Sequence, residues 1–428
     1  MLDINRIRQN AEEVRQGLLK RMDEVDFTNL LAQDEEYRQL THKVEELKAR
    51  RNKVSKEIPK KKKAGEDVAP LIAEMKEVGD TIKSMDNERQ AIQACIKTYL
   101  ESLPNIPADD VVAGGKENNE VLRVIGEKPE FSFKAKDHME LATGLGLIDY
   151  ERGVKLGGAG FWLYRGMGAV LEWALLQYFV SSHLKDGFEL ILPPHILNWE
   201  SGVAAGQFPK FVDDVFVLRQ GEDEEQEQTQ FLLPTAETAL INLYRDEILD
   251  EADLPLKMCA YTPCYRKEAG SYRASERGMI RGHQFNKVEM FVYCKPEDST
   301  KYLEELIEKA ESLVKGLGLH YQVSKLAAGD CSASMAKTLD IEVWIPSMNE
   351  YKEISSASNA HEYQARRGKI RYRLPEKGKK AFVHTLNASG LATSRLFPAI
   401  LEQNQQADGS VIVPEVLRPW VGAELLKP

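Results

Sequence analysis

Between Tyr37 and Tyr99 apolar residues recur, in two runs, on alternating steps of three and four, and this periodicity constrains the fold more than any other feature. The first run is Tyr37, Leu40, Val44, Leu47, Val54 and Ile58, with Arg51 at the one interrupted position. The second is Leu71, Met75, Val78, Ile82, Met85, Ile92, Ile96 and Tyr99, with Arg89 as its gap. Repeats this long predict helices paired along a narrow seam, a coiled coil. The stretch PKKKKAGED (Pro59 to Asp67) between them predicts a proline-led break, so the two helices form an antiparallel hairpin over about residues 30–100. At 1.5 Å per residue the arm is on the order of 40–50 Å long. With no core beyond its seam, it is expected to project.

The charge of the arm is uneven. From Lys43 to Lys63 there are ten Lys or Arg against three Glu, within a chain whose net charge is −10. A charge run is commonly a solvated helix face. On a projecting arm of an acidic protein, Lys53, Lys56, Lys60, Lys61, Lys62 and Lys63 instead suggest contact with a phosphate backbone, where counterion release strengthens binding. The five cysteines (Cys95, Cys259, Cys264, Cys294, Cys331) include no C-x-x-C pair, so reduced thiols in a cytoplasmic protein are expected, with neither disulfides nor a zinc site. No apolar run is long enough to span a membrane, and the charged N-terminus lacks a signal-peptide core.

The chain has 428 residues, so more than one domain is expected: a helical unit over 1–105, a Pro/Gly-rich linker over 106–130 and a larger domain over 131–428. In the last, strand-like segments such as KMCAYTPCYRKE, HQFNKVEMFVYC and TLDIEVWIP follow one another with few crossover helices. An α+β domain built on an antiparallel sheet flanked by helices is predicted. Neither G-x-x-x-x-G-K-[ST] nor G-x-G-x-x-G occurs, which removes the P-loop and dinucleotide folds. His283, a lone histidine at a strand end, is expected to be structural.

In CYRKEAGSY (Cys264 to Tyr272) an extended backbone would turn Arg266 and Glu268 to one side. On the return strand Phe285, Lys287 and Glu289 share a face by the same alternation. Pairing the two strands would put a guanidinium fork, an aromatic ring and carboxylates on one surface. Such a surface can grip phosphate, stack on a nucleobase and accept from amino groups.

At these residues the chain resembles the seryl-tRNA synthetase family of class II aminoacyl-tRNA synthetases. TPCYRKEAGSY with RGMIRGHQFNKVEM is similar to that family's motif 2, and HTLNASGLATSRLFPAILEQ to motif 3. FLLPTAETAL resembles its serine-binding loop, LDIEVWIPSMNEYKEISSASN its E-I-S-S region, and the arm its tRNA-binding domain. The resemblance implies serine–tRNA ligation with ATP and Mg²⁺. By resemblance, Arg266 would hold the α-phosphate, Glu268 the adenine amino group and Phe285 the ring, with Lys267, Ile354 and Ser355 in the same ATP site. Arg395 would hold the γ-phosphate side, and Glu353 and Ser356 the Mg²⁺. Thr235, Ala236, Glu237, Glu289, Asn387 and Ser389 would surround L-serine. A homodimer acting on tRNA(Ser), and on tRNA(Sec) where that is present, is implied as well.

The chain departs from the family pattern in places. AAGQFPKF stands at Ala204–Phe211, SYRASERG follows motif 2, Gly282 precedes His283 where a larger residue is usual, and ATSR leads to Arg395. These departures leave room for a paralogue serving specialised metabolism or resistance to a serine mimic. A carrier-protein loader would lack the arm, and a non-enzymatic coiled-coil protein would leave Arg266, Glu268, Phe285 and Arg395 unexplained.

Overall fold

The computed structural model describes residues 1–218, 229–268, 278–376 and 378–428. Most of the acidic loop expected at Gly221–Gln230, and Ser271–Arg277 after motif 2, lie outside the described residues. Two compact units are present: residues 2–19 with 23–103, and residues 1, 20–22 and 104–428.

The helical unit carries both heptad runs, on α1 (Thr28–Lys63) and α2 (Ala69–Ser102). Every predicted seam residue is buried or half-buried, including Arg51 and Arg89, and Leu40, Val44, Met75, Ile82 and Ile96 are the most enclosed. Lys48 reaches Asp86 across the pair at 2.9 Å, and the Tyr99 hydroxyl donates to the Asp26 carbonyl at 2.7 Å, as an antiparallel pairing requires. The reversal comes later than the sequence suggests. Pro59 lies inside α1, which continues for another turn and closes with the Ala64 N–H on the carbonyls of Lys60 and Lys61. A proline removes one hydrogen bond and crowds the preceding turn, but it does not forbid the next one. Gly65, at φ +79°, supplies the left-handed residue that ends the helix.

The larger unit is built on eight strands: β1 (Glu120–Ile125), β2 (Glu189–Ile191), β3 (Leu256–Tyr265), β4 (Gln284–Cys294), β5 (Tyr321–Lys325), β6 (Lys337–Ile345), β7 (Glu350–His361) and β8 (His384–Ala392). They lie in the order β1-β5-β6-β7-β8-β4-β3-β2, every pair antiparallel except β2 with β3. The expected antiparallel α+β architecture is therefore present. β1 falls within the stretch read as a linker. It is an edge strand whose residues are nearly all exposed, so it has no apolar alternation to read.

Four helices complete this unit for the present purpose: α3 (Met167–Lys185), α4 (Ala236–Leu240), α5 (Ser299–Gly316) and α6 (Thr393–Gln403). Leu171 and Phe179 of α3, Leu306 and Leu313 of α5, and Phe397 and Ile400 of α6 pack on Val288, Met290, Ile341 and Leu386 of the sheet. Alternation along β4 then turns Phe285, Lys287 and Glu289 to the opposite face. Covering one face with these helices leaves this end of the other for polar groups, while Phe291 and Tyr293 further along it pack against α4.

Gly282 enters β4 through a tight spot. A Cβ there would stand 2.1 Å from the Trp162 ring and 2.8 Å from the Gly160 carbonyl oxygen. The indole thus fills the space that a larger residue at 282 would need, which accounts for that departure. Gly282→Phe is expected to lower the melting temperature by several degrees, since overpacking costs about 1–3 kcal/mol, and Trp162→Ala in the same chain to recover part of the loss. Strictly additive losses in the double variant would separate the two positions.

Candidate active site

The site begins with the register of β3 on β4. Phe285 faces Cys264, Lys287 faces Thr262 and Glu289 faces Ala260, while on the other side of β4 Glu289 faces Ser389 of β8. β3 ends at Tyr265. The Arg266 N–H still bonds the His283 carbonyl at 3.0 Å, and the guanidinium stands over the Phe285 ring, 5.3 Å from its centre. His283 Nδ1 hydrogen-bonds the Arg266 carbonyl at 3.0 Å, so this histidine braces the turn. Glu268 is not placed by strand alternation, because its backbone is left-handed at φ +53°. Its carboxylate nonetheless comes back to the same surface, paired with Arg281.

These groups open on a cavity of about 650 Å³, lined among others by Gln207, Thr235, Glu237, Arg266, Glu268, Arg281, Lys287, Asp340, Glu353, Ser356, Asn387 and Ser389. A narrower annex of about 70 Å³ adjoins it and shares Arg266, Glu268, Arg281, Lys287, Glu353 and Ser389. The annex adds Phe285, Ile354 and Arg395. Arg266, Phe285 and Arg395 thus line one continuous site. Arg395 is fixed at the start of α6, donating to the carbonyls of Glu353 (2.8 Å) and Ile280 (3.2 Å) and approaching the Glu353 carboxylate at 3.4 Å.

The polar end is built on α4. Thr235 caps this helix by accepting from the Glu237 N–H at 3.2 Å, and its hydroxyl lies 3.4 Å from Glu289. One oxygen of Glu237 accepts from Gln364 Nε2 at 2.7 Å, and Gln364 is itself held by the Ala205 carbonyl and the Thr385 hydroxyl. Glu289 is fully buried, accepting from Asn387 at 3.0 Å and pairing with Lys287. Burial, with Glu289 as the next cause, pushes the Glu237 carboxyl up to about 7. Glu353 goes the other way. Its surroundings work to raise it, but Arg395, Arg266 and Lys287 together hold it below the usual carboxylate range. Asp340, buried beside Glu353, is pushed well up by its burial and by that neighbouring charge.

Four of the expected site residues, Ala236, Lys267, Glu289 and Ser355, do not line either cavity. Ala236 packs with Leu240, Ala260 and Phe291 in a small apolar cluster. Ser355 turns its hydroxyl onto the Ser389 carbonyl at 2.6 Å, and Lys267 contributes a backbone bond to Asp214 at 2.8 Å. Glu289 lies beneath the wall and touches it through Thr235 and Asn387. Conversely, Arg281, Asp340, Glu342 and Gln364 carry no role in the sequence reading. Asp340 and Glu342 are two apart on β6, a signal that alternation offered; Gln364 comes from a distant helix with no local signal. Of the arm lysines, Lys53, Lys56, Lys60, Lys62 and Lys63 are exposed and Lys61 pairs with Glu66 at 2.8 Å, all within the helical unit.

The donor set suits Mg²⁺. The Ser356 hydroxyl donates to Asp340 and lies 3.4 Å from a carboxylate oxygen of Glu353, all three lining the larger cavity, and oxygen donors of this kind would hold Mg²⁺ together with phosphate oxygens. Among the described residues no group of three His, Cys, Asp or Glu could hold a metal alone. The motif 3 departure also has a partner: the Thr393 hydroxyl donates to buried Glu172 at 2.6 Å, which Asn286 of β4 also reaches at 2.8 Å.

Residues 1–107 match the family model of the seryl-tRNA synthetase N-terminal domain, and residues 218–404 that of the tRNA synthetase class II core domain (G, H, P, S and T). The chain is 63% identical to serine–tRNA ligase 2 of Clostridium acetobutylicum over the full length of both. It is 48% identical to the serine–tRNA ligase of Geobacter sulfurreducens, with 99% of each covered. Among solved structures it is similar to seryl-tRNA synthetase from Pyrococcus horikoshii complexed with ATP, at 34% identity and a TM-score of 0.92 across the whole of both chains. With both family models matching in order and full-length identity this high, the chain belongs to the seryl-tRNA synthetase family.

Proposed function

We propose that this chain is a serine–tRNA ligase and that the continuous cavity is where it activates L-serine with ATP. The observation that carries the reading is the meeting of Arg266, Phe285, Arg395 and Glu353 with the enclosed Thr235–Glu237–Asn387 end in one space. Phe285 and Glu268 would receive the adenine. Arg266 and Arg395 would hold the phosphate chain, and Glu237 the serine ammonium, with Glu289 and Ser389 near the hydroxyl. Mg²⁺, held with the phosphates by Glu353 and Ser356, would neutralise charge on the triphosphate.

The chemistry needs alignment and charge neutralisation more than a general base. A carboxylate oxygen of serine attacks the α-phosphorus in line. The bond to the oxygen bridging the β-phosphate breaks, and pyrophosphate leaves seryl-adenylate behind. A terminal ribose hydroxyl of the tRNA then attacks the carbonyl carbon, AMP departs with the electron pair, and the hydroxyl proton passes to solvent. A pocket that bonds the serine hydroxyl rejects alanine, because its buried polar groups would be left unpaired.

The remaining assignments follow from surface and charge. Residues 1–105 would be the tRNA-binding domain, 106–130 the connection and 131–428 the catalytic domain. Lys53, Lys56 and Lys60–Lys63 would contact the phosphates of tRNA(Ser), and of tRNA(Sec) if it is a substrate. The exposed Val170 and Trp173 of α3 and Leu190 and Leu192 nearby would be covered by a second copy of the chain, in a cytoplasmic homodimer.

Arg266→Ala is expected to lower serine-dependent ATP–pyrophosphate exchange by about 100-fold or more while the chain stays folded; near-normal exchange would take Arg266 out of the site. Changing Lys60 to Lys63 to Gln should leave exchange intact and flatten the salt dependence of tRNA charging, its log–log slope falling by roughly one for each phosphate that the lysines no longer neutralise. An unchanged slope would return these lysines to a solvated face. Glu237 sets a pH dependence. Its folded value of about 7 lies above the ordinary 4.5, so its contribution to stability is complete below the lower value and is lost as pH rises through the higher. Its charged form, which serine's ammonium requires, appears over the same rise, so the serine KM should fall between about pH 6 and 8. A KM flat over that range would argue against Glu237 as the ammonium's partner.

A further inference from the structure

The site as assigned leaves one charge unmatched. Serine entering this pocket brings a carboxylate towards Glu237 and Glu289, two acids that are themselves enclosed. In a space with little water such like charges repel strongly, unless a cation stands where the carboxylate comes to rest. Among the described residues, the cationic groups lining the larger cavity are Lys116, Arg266, Arg281 and Lys287. Lys116 is exposed at the rim and Arg281 is engaged with Glu268. Arg266 stands over Phe285 and its Nε donates to the Pro234 carbonyl at 3.2 Å, so it spans both ends and would be shared with the phosphate.

Lys287 differs from the other three. It is 5% exposed, and its ammonium donates to Thr235 Oγ1 at 2.7 Å and pairs with Glu289. Those contacts place it at the amino-acid end. Like Arg266 and Arg281 it also lines the annex, with Phe285 and Arg395, so it stands where the two spaces join. An ammonium has three protons, and Thr235 and Glu289 occupy two. Lys287 sits on regular backbone, since β4 keeps an unbroken register on β3; the irregularity beside it is on β8, where three steps from Ser389 to Ala392 face two from Lys287 to Glu289.

We infer that Lys287 receives the carboxylate of the amino-acid substrate and holds its attacking oxygen at the junction with the α-phosphate. The inference rests on the ligase reading of this same site. Lys287 would hold the nucleophile through charge and take no proton from it, leaving the bonds formed and broken as described above. A role as counter-ion to Glu289 alone would make the lysine structural and leave the substrate carboxylate without it.

Serinamide tests the difference, because it keeps the ammonium and hydroxyl of serine and replaces the carboxylate with a neutral amide. Binding of each compound to the full-length protein is measured by calorimetry in the presence of a non-hydrolysable ATP analogue. The wild type should prefer serine by about 10-fold or more, and Lys287→Met should bring the two within about twofold, since the preference is electrostatic. Lys287→Arg, which keeps the charge, should restore part of it. A preference unchanged in Lys287→Met overturns the inference and leaves the lysine as partner of Glu289. If that variant fails to fold because Glu289 is left unpaired, the ratio is read on Lys287→Met/Glu289→Gln, which removes both charges together. There too a retained preference counts against the inference and a lost one supports it. Failure of the wild type to catalyse serine-dependent exchange would instead remove the ligase reading itself.

Discussion

The hydrogen-bonded register of β3 on β4 is the constraint on which the site depends. It fixes which side chains share a surface, and a slip of one residue would send Phe285, Lys287 and Glu289 into the apolar core that Val288 and Met290 now enter. The helices α3, α5 and α6 give that choice its energy. Their packing makes one side of the sheet the core, so the polar face has only one orientation open to it. β8 and β7 extend the same floor, carrying Asn387 and Ser389 on one strand and Glu353 and Ser356 on the other. Chemistry that needs several groups within a few ångströms is thereby distributed over rigid, paired backbone.

On that floor the charges are arranged in opposition. Arg266, Arg395 and Lys287 keep Glu353 ionised, whereas Glu237 is held near neutrality by burial and by Glu289. Two carboxylates on one surface thus have different protonation behaviour, a condition that separates the roles of otherwise similar groups. Behind them, Gln364 and Thr385 form a relay of hydrogen bonds that settles the orientation of Glu237. Ordering of this kind lowers what must be arranged when substrates arrive.

Local periodicity made much of this legible. The seam of the arm could be read residue by residue, because burial in a two-helix pair repeats with the heptad. Pro59 misled, since a proline's local preference says where a helix is weakened, while Gly65 decides where it stops. β1 was hidden because an edge strand exposed on both faces has no pattern to show. Motifs taken as strings included residues that face backwards: Ala236 between Thr235 and Glu237, Lys267 between Arg266 and Glu268, and Ser355 just before Ser356. Glu268 reached the expected surface through a left-handed turn that no alternation foretold. Gln364 could not be found at all, because it reaches Glu237 across 127 positions of chain.

The close fit of Trp162 over Gly282 ties motif 2 to a segment 120 residues earlier. The hairpin in this chain is therefore not an interchangeable cassette. Grafting the corresponding hairpin from a relative with bulk at that position would set it against an indole already in residence, and the mismatch would reach Phe285 only three residues on. Chimaeras that transplant both segments as one piece should inherit an unstrained floor, whereas those that split them would inherit the conflict.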